Sequence, residues 1–164
     1  MEQKLYLLPG RPFTDFLKHL QDKPHDKLPT EIEDMIEGLH SLNAEYRDAL
    51  QSTVLQYNWY NLAIENLRTC WMRRIFVFEW LNDLEAGFLA DLQEGNPFAR
   101  LVITYWALSM CSLDDLWWTA GVGRKIVNLA LGSIETADTD LQALLQRAGH
   151  YARIWQSSIP CSLP

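Results

Sequence analysis

The chain has few cysteines and few basic residues, and each shortage weighs against a class of function. Its three cysteines, Cys70, Cys111 and Cys161, lie far apart without a CxxC pair, so they predict no zinc cluster and no oxidising compartment. Lysine and arginine number 14 against 21 acidic residues, and the densest basic groups are pairs. Because nucleic-acid binding needs clustered cations to neutralise phosphates, we expect no direct nucleic-acid contact.

Long apolar segments are also missing. The N-terminal KLYLLPG is too short for the apolar core of a signal peptide. The apolar run Leu101–Leu113 is bracketed by Arg100 and Asp114 and falls short of the roughly 18 residues that a membrane helix needs. We therefore expect no membrane span and an intracellular location, either cytoplasmic or nuclear.

The sequence shows no strand-like alternation, and proline and glycine divide it into helical blocks. Its 164 residues, 48% of them hydrophobic, suit one packed domain. We predict an all-α, single-domain bundle of six to seven helices over residues 1–164.

Start and stop signals place the predicted helices along the chain. The N-terminal part has a short helix after Pro12 and then one long helix or two, which start at a Thr30–Glu33 capping box and could break near Ser41 or near Gln56-Tyr57. The next helices run from Asn82 to Gly95 and over about 97–118, where the second is buried. A further helix covers Arg124 to about Ser133, and the last begins at Asp138 or Asp140.

The run from Phe98 to Ile126 is the most informative stretch. It is apolar on nearly every helical face up to Leu113, and a helix that is apolar all round must be surrounded by other elements. Asn96 is the predicted N-cap, with Pro97 at the first helical position. We therefore predict a central helix that leads into a cavity.

Aromatic residues are abundant, with seven Trp, six Tyr and six Phe. Flat rigid rings commonly line apolar ligand sites, so we predict an aromatic pocket. Its predicted lining residues are Trp59, Tyr60, Tyr105, Trp106, Met110, Trp117 and Trp118. A stripe with this helical spacing is more often core than pocket, and both interpretations stay open.

The sequence carries no nucleophile, phosphate-loop or metal-ligand motif, and we expect neither a metal nor another cofactor. The polar candidates for catalysis are Asp114, Arg124 and His40. Asp114 could supply a base or stabilise charge, and the alternative is a structural pair with Arg124. His40 lies beside an apolar stripe, where a structural histidine is the commoner outcome.

The segment Val77–Val127 carries a combination of motifs. They are a Trp at a helix start (Trp80), a Phe in the next helix (Phe88), a proline-led apolar helix with a Tyr-Trp step (Pro97, Tyr105, Trp106), and a Trp-Trp, Gly-x-Gly-Arg signature (Trp117, Trp118, Gly121, Gly123, Arg124). This combination resembles the C-terminal part of fungal zinc-cluster transcription regulators of the sterol uptake control type. The resemblance implies a helical ligand-sensing domain for an apolar, sterol-like molecule. The six-cysteine DNA-binding cluster of that family is absent.

Two functions follow as hypotheses. The first is a protein of fungal secondary metabolism that holds an apolar polyketide or terpenoid and catalyses its cofactor-free cyclisation, as a pericyclase does. The second is a ligand-sensing regulatory domain without catalytic activity. A helical partner-binding subunit is a third interpretation, and a homodimer is compatible with all three.

Overall fold

A computed structural model describes residues 28–50, 54–74, 76–114 and 119–157, and these residues form helices without strands. The helices are α1 (Thr30–Leu50), α2 (Val54–Met72), α3 (Phe76–Glu79), a 3-10 helix (Trp80–Asp83), α4 (Ala86–Glu94), α5 (Pro97–Cys111), α6 (Val122–Ser133) and α7 (Thr139–Ser157). The predicted all-α bundle is confirmed. The helix predicted after Pro12 lies outside the described residues.

Helix α5 is the buried helix that the sequence predicts. Twelve of its 15 residues are buried, and α2, α3, α4, α6 and α7 all contact it. The Asn96 side chain accepts hydrogen bonds from the backbone N–H groups of Phe98 and Ala99, at 2.9 and 3.2 Å, so the predicted N-cap is confirmed. A helix enclosed in this way carries no polar face because water does not reach it.

The predicted end of α5 near residue 118 is wrong, because the helix ends at Cys111. The N–H groups of Ser112, Leu113 and Asp114 donate there to the carbonyls three residues earlier, at 3.1, 3.0 and 3.3 Å, so the chain tightens into a turn after Cys111. The Ser112 hydroxyl also donates to Ser109 O. The Arg74 guanidinium donates to the carbonyl of Ser112 at 3.0 Å and fixes the chain beyond the helix.

The long N-terminal pattern forms two helices, and the break falls between Leu50 and Val54 rather than near Ser41 or Gln56. The predicted capping box is also wrong. The N–H of Glu33 donates to the carbonyl of Pro29 at 3.1 Å, and the Glu33 carboxylate pairs with Arg68 of α2. Arg68 also pairs with Glu37 at 3.1 Å, so this ion-pair cluster joins α1 to α2.

Helix α4 begins at Ala86, four residues after the predicted start at Asn82. The chain before it is extended at Leu84 and Glu85, and the indole N–H of Trp80 donates to Ala63 O at 2.9 Å. That buried bond holds Trp80–Asp83 as a separate 3-10 turn. The later boundaries follow the prediction more closely, since Gly95 ends α4 with a φ of 83° and α7 starts after Asp138.

Candidate functional site

The aromatic residues of the centre form a packed cluster. The rings of Trp80 and Trp106 are stacked, with centroids 5.9 Å apart, and the indole N–H of Trp106 donates to Val77 O at 2.7 Å. Tyr60 packs against Phe88 and Phe98, with centroids 5.3 and 4.9 Å away. Trp106 and Tyr60 are only 7% and 4% exposed, so both belong to the core.

The hydroxyls of the buried tyrosines form hydrogen bonds between helices. Tyr60 donates to Asp91 Oδ2 at 2.7 Å, and Tyr105 donates to the carbonyl of Leu144 at 3.1 Å. Burial raises the pKa of both phenols above the ordinary value, and the Asp91 hydrogen bond raises the pKa of Tyr60 further. Both hydroxyls therefore stay protonated near neutral pH and fasten helices together.

The remaining predicted pocket residues divide between core and half-buried positions. Met110 is buried in α5, and half-buried Trp59 packs so closely on Gly87 that an added Cβ there would lie 2.0 Å from the indole. Trp117 and Trp118 lie outside the described residues. The five described members of the predicted pocket are therefore in the core or packed against it.

Asp114 and Arg124 come together at the turn between α5 and α6. The Asp114 carboxylate, whose side chain is 4% exposed, pairs with the Arg124 guanidinium. Its other oxygen accepts the N–H of Gly121 at 2.9 Å. The ion pair considered for Asp114 and Arg124 is therefore present, and the same carboxylate holds the backbone at the start of α6.

His40 belongs to a different cluster. Its Nε2 lies 3.4 Å from a carboxylate oxygen of Glu65 on α2, beside the ion pairs of Arg68. The three residues predicted for catalysis are thus divided between two places. Asp114 and Arg124 contact each other, and His40 lies at the α1–α2 interface.

A groove lies between α1 and α7, in a place that the sequence does not indicate. Its volume is about 870 Å³, within the range of small-molecule sites. Helix α1 contributes Glu31 and Met35, and α7 contributes Ala143, Gln146, Arg147, His150, Tyr151 and Ile154. The α7 residues recur at helical spacing but mix polar and apolar types, so hydrophobicity gave no signal for them.

A second cavity of about 340 Å³ continues this groove. It shares Ala143 and Arg147 with the first and extends to Ser41, Glu45 and Asp140. The five described members of the predicted aromatic pocket line neither cavity, nor a third one of about 200 Å³ beside Pro97 and Ser133. Nor do the three predicted catalytic residues.

In the described part of the chain, every helix is too short or too polar to span a membrane, and no three potential metal-ligating side chains lie together. Comparisons with protein-family models, curated proteins and solved structures found no match. The resemblance to fungal zinc-cluster regulators therefore stays a prediction, and the groove is the starting point for a functional assignment.

Proposed function

We propose that this protein binds an apolar small molecule in the groove between α1 and α7. The observation that carries the proposal is the groove itself, about 870 Å³ in volume and lined by both apolar and polar side chains. Ala143, Tyr151 and Ile154 offer apolar contact, whereas Glu31, Gln146 and His150 offer a few polar groups. This mixture is typical of sites that bury a ligand's apolar body and orient its polar end.

The groove also supports what the two sequence hypotheses share, since a metabolic protein and a ligand sensor both need an apolar ligand. Cofactor-free cyclisation stays a prediction within this proposal. Its proposed residues Asp114, Arg124 and His40 do not line the groove. We therefore propose only that the groove binds a ligand, and a separate experiment tests whether the bound molecule is converted.

A groove-filling substitution tests the binding site. Ala143 lines both connected cavities, so Ala143→Trp places an indole in the groove. We expect it to weaken the binding of the neutral apolar dye Nile red at least tenfold in a fluorescence titration. The matched control Ala90→Trp, at an exposed position of α4, should keep the wild-type affinity. Equal affinities of the two folded variants, checked by circular dichroism, would contradict the proposed site.

A second experiment separates catalysis from sensing. A ligand captured from a cell extract is identified by mass spectrometry and incubated with the protein. Recovery of the unchanged molecule supports a sensor, and conversion beyond the rate in buffer supports a cyclase. A ligand of the native state at a hundredfold over its dissociation constant should also raise the free energy of unfolding by about 2.7 kcal/mol.

A further inference from the structure

We propose that the groove accepts a single-chain amphiphile with a carboxylate head group, and that Arg147 binds this head. The inference rests on the proposed function, because it names the class of molecule that the same groove would bind. It is carried by the length of the groove and by the positions of the charged side chains along it.

The groove is long because α1 and α7 run antiparallel beside each other. Gly38 contacts Leu144 near the middle, and the Tyr46 hydroxyl donates to Asp138 at 2.6 Å near one end. The two connected cavities together reach along α1 from Glu31 to Glu45. At 1.5 Å per residue this distance is about 21 Å, and the larger cavity from Arg147 to Ile154 accounts for about 10 Å of it, an elongated shape that suits an extended chain better than a compact ring system.

The charged side chains are distributed unevenly along this length. Carboxylates lie toward the two ends, with Glu31 at one end and Glu45 and Asp140 at the other. Among the described residues that line the two cavities, Arg147 carries the one permanent positive charge, and it lies where the cavities meet. An anionic head would be repelled at both ends and attracted at this junction.

The chemistry of Arg147 suits a carboxylate in particular. A guanidinium presents parallel N–H groups that match the two oxygens of a carboxylate, and such charge-assisted bonds are among the stronger ones in proteins. His150 lies three residues further along the same face of α7 and offers a ring N–H donor. The chain of the ligand would then lie along Tyr151 and Ile154 in the larger cavity.

The test compares three ligands with the same chain: dodecanoate and dodecylammonium below their micelle-forming concentrations, and dodecanol below its solubility limit. Calorimetric titration of the wild-type protein should give dodecanoate an affinity about tenfold above that of dodecanol. Arg147→Gln should abolish this preference and leave the affinity for dodecanol within twofold. The control Lys125→Gln removes a positive charge from an exposed position of α6 and should keep the preference.

Three results would overturn the inference. One is a dodecanoate preference that persists in Arg147→Gln, and another is tighter wild-type binding of dodecylammonium than of dodecanoate. In either case, dodecanol binding that remains sensitive to Ala143→Trp would leave the proposed function intact. The third is no binding of any of the three ligands while Nile red still binds, which would overturn the amphiphile class alone.

Discussion

Gly123 lies where the backbones of α5 and α6 come into contact. A Cβ at this position would lie 2.3 Å from the carbonyl oxygen of Ala107 and 3.0 Å from the amide nitrogen of Cys111. Both atoms belong to the backbone of the buried helix, so neither can rotate away as a side chain could. The close packing of α6 on α5 therefore requires a residue without a side chain here.

We expect Gly123→Ala to lower the free energy of unfolding by about 2 kcal/mol, because the added methyl group forces two packed helices apart. Urea denaturation monitored by circular dichroism measures this change. Gly132→Ala is the matched control in the same helix, since a Cβ there would meet no atom within 4 Å. The control should be neutral or slightly stabilising, and equal behaviour of the two variants would contradict the predicted helix contact.

Contacts between residues could be predicted from the sequence where the two partners are close together along the chain. Asn96 caps the N–H groups of Phe98 and Ala99, and Asp114 pairs with Arg124, ten residues further along the chain. Contacts such as Trp106 with Val77, 29 residues apart, depend on how whole helices pack. Nothing in the periodicity of either segment indicates such a partner, so these contacts could not be predicted.

At the level of whole helices, boundaries were predicted correctly where a local signal decides them. Gly95 ends α4 and Asp138 precedes α7, as the sequence indicates. The start of α4 was wrong because a long-range bond from Trp80 to Ala63 holds the preceding residues in a 3-10 turn. Tertiary contacts thus override the tendency of the Asn82 side chain to cap the start of a helix.

Asp138 caps the start of α7, and its contribution to stability is expected to depend on pH. Asp138 Oδ1 accepts the N–H groups of Asp140 and Leu141, each at 3.0 Å, and its Oδ2 accepts the hydroxyl of Tyr46 at 2.6 Å. The Leu141 backbone bond and then the Tyr46 bond hold the pKa of Asp138 below its ordinary value of 3.8. The stabilisation is therefore complete well above pH 3.8 and is lost as the pH falls through the folded-state pKa.

We expect Asp138→Ala to lower the free energy of unfolding by about 1 kcal/mol at pH 7, because the helix loses its N-cap. The difference from the wild type should shrink as the pH is lowered below 3.8. Urea denaturation at pH 7 and pH 3 measures both values. Asp138→Asn keeps a capping oxygen without a titrating carboxyl, so a loss as large as that of the alanine variant at pH 7 would contradict the capping role.

At the scale of the molecule, the sequence predicted the helical architecture and the buried helix, and it placed the ligand among aromatic residues, whereas our proposal places it in the α1–α7 groove. Helical spacing shows that Trp106 and Met110 share a face, yet core and pocket have the same spacing. Only the packing of neighbouring helices decides between them. The sequence does not indicate the groove, because Gln146, Arg147 and His150 have the polar character of any solvent-exposed helix face, and all three are exposed.

Because the aromatic core and the groove are separate, a substitution in the core should lower stability without changing ligand binding. Trp106→Phe leaves the Val77 carbonyl without its indole donor and opens space beside Trp80. We expect the free energy of unfolding to fall by about 2 kcal/mol, measured by urea denaturation. The affinity of the folded variant for Nile red should stay at the wild-type value, because Trp106 does not line the groove.

The matched control is Trp59→Phe, which trims an indole that is only half-buried and should cost less stability. A tenfold loss of dye affinity in Trp106→Phe with unchanged stability would place the ligand among the rings and overturn the groove. A loss of stability at unchanged affinity would assign the two tasks to different parts of the bundle. The aromatic residues would then hold the helices together, and the α1–α7 groove would bind the ligand.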